Sequence, residues 1–351
     1  MTKKPVKMAM AVLLCGLIVF SCALGLQARD HDSSLGEQAA AQSVQVVSVD
    51  PALDMGEDFF IGQILPIDNQ FLLVLGMRQN TLHAVLCDVE SGEKGSVLML
   101  EPVNETELAW YRCGAFQGGW YLSTSQRLII TNELFEIQMQ RLFSETGLLI
   151  DECVVSPDGK TLAYTDESGL WISDLNFEHK KMVEAYTGQG QEEWTRFVKY
   201  PAWSEDGTRL TYEWCGYETL HEIRTADLTG TITCVDVTGD FFTAYQGDDV
   251  YRITDDSTMI IANAEQKLSQ PLTGYVIYTM ETNKTKTEAV LMLYEQETHA
   301  AAYAVVDLRT GNVTLRENKT YDTIVMGQGI LFQIQSNQTI TVVPMQVKQT
   351  V

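Results

Sequence analysis

The stretch VVSPDGKTLAYTDESGLWISDL, from Val154 to Leu175, has a counterpart of the same design in PAWSEDGTRLTYEWCGY, from Pro201 to Tyr217. Each places an apolar run before Ser-x-Asp-Gly, then Leu-x-Tyr, and each later closes on an Asp-Leu pair (Asp174-Leu175, Asp227-Leu228). This double pattern restricts the fold more than any other feature. In the first copy Pro157 presets φ at the second turn position, Asp158 suits the third and Gly159 the fourth. Residues 160–165 then alternate, with Leu162 and Tyr164 on one face, and further strands are expected at 170–175 and 181–185. The second copy predicts strands at 200–203, 208–214, 220–228 and 231–235. Four short antiparallel strands make one meander, whose faces are buried only when copies stack around an axis.

Fainter echoes carry the rhythm along the chain. HAVLCDVESGE sets Asp88 before a Ser91-Gly92 turn, and AAYAVVDLRTGNV does the same with Asp307 and Thr310-Gly311. Residues 128–140 and 248–263 read as degenerate copies, and little of the chain has the 3.6 period of a helix. At about 40–45 residues per unit, residues 44–351 hold about seven units, with six or eight as neighbouring counts. The predicted fold is all-β: a β-propeller of about seven four-stranded blades following an N-terminal signal or anchor segment. Asp158 and Asp206 read as turn residues rather than catalytic or metal-binding ones.

The two strong copies resemble the WD40-like PD40 repeat, found in the propeller of the TolB family and in many bacterial surface lipoproteins. The resemblance covers about a quarter of the chain and implies a bacterial extracytoplasmic propeller. TolB-like proteins carry an α/β domain before the propeller, whereas here residues 23–43 read as a tether. The likeness therefore implies the fold, not the TolB partners.

The N-terminus supports the same address. Lys3, Lys4 and Lys7 precede an apolar run, MAMAVLLCGLIVFSC, of signal-peptide length. Val19-Phe20-Ser21-Cys22 resembles a lipobox, with a bulkier Phe20 than usual before Ser21, and this implies lipidation of Cys22. Residues 1–22 are thus expected to be a signal peptide with a lipobox cysteine. An uncleaved membrane anchor is the alternative, since Met8 to Leu26 barely spans a bilayer, and plain secretion is a third. Residues 23–43, small and polar, read as a flexible tether. All three readings put the propeller outside the cytoplasm, with membrane attachment at a bacterial cell surface in the first two.

Charge narrows the partners. With 24 basic against 47 acidic residues, the net charge of −23 repels phosphate backbones, so no nucleic-acid partner is expected. No G-x-S-x-G elbow or HExxH motif is present, and the five histidines are scattered. His83 and His221 read as ordinary strand residues. Asp248, Asp249, Asp255 and Asp256 could face a channel, but doublets flanking a short strand read as turn and edge residues. Cys87, Cys113, Cys153, Cys215 and Cys234 form an odd set outside the leader, so at least one is free or paired between molecules. None has CxxC spacing; buried free thiols are expected, a Cys215–Cys234 bridge is conceivable, and no metal or cofactor is predicted. Five Asn-x-Thr sequons (Asn104, Asn283, Asn312, Asn318, Asn337) read as turn and strand composition.

The connection EAYTGQGQEEWTRFVKYPAW, from Glu184 to Trp203, is longer than a blade turn requires. Loops on rigid scaffolds commonly carry recognition, and Tyr186, Trp194 and Arg196 form a candidate binding set. Trp171 and Trp203 read instead as packing. The expected function is a non-enzymatic binding or scaffolding module for a protein, peptide or glycan. The alternatives are a propeller enzyme with its site in the central channel (lyase, lactonase or glycan-active hydrolase) or an extracellular sensor. No room is seen after the propeller for the α/β-hydrolase domain of prolyl-peptidase-like enzymes.

Overall fold

Ser156 and Ser204 set the pattern of the fold. In the computed structural model, Ser156 donates its hydroxyl to Asp158 Oδ1 at 2.6 Å and accepts the Thr161 N–H at 3.0 Å. Ser204 does the same with Asp206 at 2.7 Å and Arg209 at 3.0 Å. Gly159 and Gly207 close the two turns at φ 70° and 67°, in the left-handed region that glycine tolerates. The structure describes residues 52–343 apart from 105, 110, 188–195, 217–220, 238–241, 248, 255–256, 262–263, 284, 299, 318–322 and 328. The leader with Cys22, the tether, Trp194, His31, His299, Asp248, Asp255 and Asp256 lie outside the described residues.

A two-residue strand, β1 (Leu53–Asp54), comes first. Blade 1 follows as β2 (Phe60–Pro66), β3 (Phe71–Arg78), β4 (Thr81–Asp88) and β5 (Lys94–Leu100). Blade 2 is β6 (Tyr111–Phe116), β7 (Gly119–Thr124), β8 (Arg127–Asn132) and β9 (Ile137–Leu142). Blade 3, the first repeat, is β10 (Glu152–Val155), β11 (Thr161–Asp166), β12 (Gly169–Asp174) and β13 (Lys181–Ala185). Blade 4, the second, is β14 (Arg196–Trp203), β15 (Arg209–Gly216), β16 (Glu222–Asp227) and β17 (Ile232–Val237). Blade 5 is β18 (Phe242–Gln246), β19 (Asp249–Ile253), β20 (Thr258–Ile261) and β21 (Ala264–Lys267). Blade 6 is β22 (Tyr275–Thr282), β23 (Glu288–Glu295), β24 (Ala301–Asp307) and β25 (Val313–Glu317). Blade 7 is β26 (Thr323–Gly327), β27 (Ile330–Ile334) and β28 (Thr339–Val342), completed by β1.

Every sheet is antiparallel and follows chain order except the last, where Leu53 pairs with Ile340 and Asp54 with Thr339. The N-terminal strand thus closes the ring. First strands of neighbouring blades touch (β6 with β10, β10 with β14, β18 with β22, β26 with β2), so they lie innermost. Fourth strands such as β5 and β9 are largely exposed and lie outermost. The core sits between blades, and Leu162, Tyr164, Leu210 and Tyr212 of the two repeats are all fully buried in it.

The aspartates that mark the ends of third strands are turn caps. Asp88 Oδ1 accepts the Glu90 and Ser91 N–H groups, Asp174 those of Asn176 and Glu178, and Asp307 those of Arg309 and Thr310. Asp227 accepts the Thr231 N–H and the Thr229 hydroxyl. Asn132 fills the same place in blade 2, holding the N–H groups of Leu134 and Glu136 at 3.0 Å. Asparagines of three sequons work alike: Asn104, Asn283 and Asn337 accept N–H groups of Thr106, Thr287 and Thr339. All five cysteines of the propeller are free thiols; Cys87, Cys113, Cys153 and Cys215 are buried and Cys234 is exposed, so the Cys215–Cys234 bridge does not form. Among the described residues no helix is long and apolar enough to cross a membrane.

Candidate functional site

The connection between the last strand of blade 3 and the first of blade 4 is bounded by a backbone-paired neck. Thr187 and Arg196 exchange backbone hydrogen bonds of 3.0 and 3.3 Å, so the two ends of the connection are paired. Tyr186, half-buried, lies 6.5 Å from the Phe197 ring and 6.4 Å from that of Trp214. Burial raises its phenol pKa to about 12, so it stays neutral. Arg196 donates to Glu222 Oε1 at 2.8 Å, and Glu222 in turn receives Arg224 at 2.7 Å. Arg224 also holds Glu184 of blade 3 at 2.7 Å and covers the Trp214 ring at 4.8 Å. Tyr212 donates its hydroxyl to the same Glu184 at 2.6 Å. The structure therefore brings Tyr186 and Arg196 together, but engages both in fixing the neck, and Trp194 falls in the undescribed segment. Trp203 packs as expected, donating its indole N–H across to Val154 O of blade 3 at 3.4 Å. Trp171 also packs against the core of blades 2 to 4 and clips a hairpin of its own blade, donating to Asp166 at 3.0 Å.

Beside the neck, the inner strands carry a polar chain across four blades. Arg112 of β6 holds Glu152 of β10 at 2.9 Å. Glu152 accepts the backbone N–H of Tyr200 of β14 at 3.1 Å, and Tyr245 of β18 donates its hydroxyl to Tyr200 O at 2.7 Å. The Arg112 guanidinium lies over the Tyr200 ring, 5.8 Å from its centre. Tyr200 has φ 54°, costly for an aromatic residue, at about 1–3 kcal/mol. The cause is a bulge between Lys199 and Ala202, where the β14 register shifts. Pro201 in the bulge has no N–H to lose from the ladder, and the Tyr200 N–H turned out of the ladder goes to Glu152. Sequence reasoning took 200–203 as a plain strand; Pro201 inside it was the available signal.

A second group lies on the other face of β15. Tyr212 and Trp214 point toward blade 3, so Glu213 and Cys215 point the other way. His221, just before β16, places Nδ1 at 2.5 Å from Glu213 Oε1. Burial raises the Cys215 thiol pKa, and the negative charge of the neighbouring Glu213 adds to this. By contrast His83 lies beside Ser96 at 3.4 Å, its pKa lowered by burial, as an ordinary strand residue. Asp249 opens β19 and pairs with Lys286, which also holds Glu205 at 3.1 Å.

The fold and its inner strands define a seven-bladed β-propeller with a hydrogen-bonded polar chain linking blades 2 to 5. No protein-family model matches the sequence, and no curated protein matches it. Among solved structures it is similar to the β-propeller domain of Myceliophteria thermophila Cps50, at 10% identity and TM-score 0.55, covering 84% of this chain and 98% of that one. It is similar also to a prolyl endopeptidase at 10% identity and TM-score 0.53, covering 84% of this chain but spanning only 52% of that one. A TolB from Agrobacterium tumefaciens matches at 12% identity and TM-score 0.44, over 76% of this chain and 99% of that one. At such identities the first two likenesses show the propeller fold alone.

Proposed function

We propose that this chain is an extracytoplasmic binding or scaffolding module, held at a bacterial membrane through Cys22 or an uncleaved anchor. It recognises a protein, peptide or glycan through the connection between blades 3 and 4. The observation that carries this reading is the neck. Paired backbone at Thr187 and Arg196, with Tyr186 packed and Arg196 tied to Glu222, presents a long connection from a fixed base. Such presentation reduces the ordering cost of binding. Tyr186 and Arg196 act here as positioning residues, and Trp194 is the contact residue. The basic leader and the lipobox resemblance support the address, and the acidic composition favours partners other than nucleic acid.

The test is a photo-crosslinking amino acid at position 194 in the native producer, compared with one at Lys160 in the first Ser-x-Asp-Gly turn, which is exposed. A single partner captured near stoichiometry at 194, absent at 160 and lost in Tyr186→Ala, supports the reading. Equal capture at both positions, or none at 194, overturns it.

A further inference from the structure

Glu213, Cys215 and His221 are the described residues that most resemble a metal centre outside the proposed recognition loop. Their ligand atoms all lie within 4.8 Å of one another. The strand places them: Glu213 and Cys215 are two apart on β15, so they share a face. Trp214 pairs with Glu222 across the hairpin, and Cys215 and His221 are the next residues toward the hairpin end on either side. Both neighbours converge on one carboxylate, His221 through a 2.5 Å contact and Cys215 with its sulfur within 4.8 Å.

We propose that Glu213, Cys215 and His221 bind a divalent ion of the zinc class, with three protein ligands and one open position. Thiolate, imidazole and carboxylate together are the donors zinc favours, and three such ligands with an open fourth position is its reactive arrangement. On binding, Cys215 gives its proton to solvent and ligates as thiolate. Glu213 binds as carboxylate and His221 through a neutral nitrogen, so the ion's two positive charges are balanced by two negative ligands. Bonds of about 2.0–2.3 Å set tetrahedral ligand atoms about 3.3–3.7 Å apart. The Glu213–His221 contact opens by about 1 Å to admit the ion. Lys199 faces Glu213 across the ladder, but its ammonium lies over the Phe197 ring at 5.3 Å.

The other grouping of this kind, Asp174, Glu178 and His179, is different in kind. Asp174 is already committed to backbone N–H groups of its turn, and His179 is 85% exposed. Its residues are accounted for as a turn cap.

The inference departs from the expectation drawn from cysteine spacing, and it stands whether or not the neighbouring loop binds a partner. The test is titration of the purified full-length protein with Zn²⁺ by calorimetry and with Co²⁺ by absorption. The expected result is one equivalent bound, with a near-ultraviolet thiolate-to-cobalt charge-transfer band. Cys215→Ser should abolish the band. His221→Asn, a half-exposed site that leaves the β15 core intact, should weaken binding at least ~10-fold, since even outer partners of metal ligands cost that much. His179→Asn and Cys234→Ser should change nothing. No thiolate band in the parent protein, or binding that survives His221→Asn and is lost in His179→Asn or Cys234→Ser, overturns the proposal.

Discussion

Tyr164 and Tyr212 occupy the same place in consecutive repeats and are equally buried, yet their hydroxyls differ. Tyr212 donates to Glu184 across the blade interface at 2.6 Å, whereas the Tyr164 hydroxyl has no hydrogen-bond partner among the described residues. A buried, unsatisfied hydroxyl costs about 1–3 kcal/mol. Tyr164→Phe is therefore expected to leave stability unchanged or raise it by about 1 kcal/mol, while Tyr212→Phe lowers it by about 1 kcal/mol. Urea denaturation of both variants decides, and equal losses would refute the distinction. The turn aspartates make a second residue-level case. The Ser204 hydroxyl, with the Thr208 N–H and hydroxyl, holds the Asp206 carboxyl down from 3.8 to about 2. A depressed carboxyl stabilises the fold above its unfolded pKa, and that contribution disappears as the pH falls through its folded value. Asp206→Asn should thus flatten the decline of melting temperature between about pH 4 and pH 2. Parallel profiles for the variant and the parent would show that the cap contributes nothing there.

Between elements, the connection from blade 1 to blade 2 is held by one fork. Arg127 of β8 donates to Glu107 Oε1 at 2.6 Å and Oε2 at 2.9 Å, and the Thr124 hydroxyl adds a bond of 2.9 Å. Glu107 is fully buried, which by itself raises its pKa, but the Arg127 bonds with those of Val103 and Thr124 outweigh this and hold it low. Breaking one side of such a pair strands a buried charge at about 3–5 kcal/mol, whereas replacing both sides by apolar groups is far milder. Glu107→Ala is expected to destabilise by that amount, and Glu107→Met with Arg127→Met to recover most of it. Chemical denaturation of the single and double variants gives the coupling, and additive losses would contradict it.

For the whole molecule, the seventh sheet is completed by the two residues of β1. Leu53, 1% exposed, is the buried anchor of β1 and covers the edge of β28. Leu53→Ala should cost about 2–5 kcal/mol as a buried leucine truncation. Deleting residues up to Asp54 should do more, leaving the β28 edge unpaired and prone to pairing between molecules. Thermal unfolding with sizing chromatography tests both. A deletion variant that melts like the parent and stays monomeric would mean the closure is dispensable.

Local chemistry determined a good deal of this protein. The Ser-x-Asp-Gly turns, the buried Leu-x-Tyr positions and the capping aspartates follow from short-range hydrogen bonding and period-two burial, so they were legible residue by residue. Their spacing pointed to about seven blades, with six and eight as neighbouring counts, and the ring has seven. What tertiary structure alone decided joins residues far apart in the chain. Leu53 meets Ile340 only because the ring has to close. The bulge at Tyr200 is set by Glu152 on the neighbouring blade, and Arg196 faces Glu222 rather than open solvent. Glu213, Cys215 and His221 converge because a hairpin folds one back on the others, a relation that linear motif spacing does not encode.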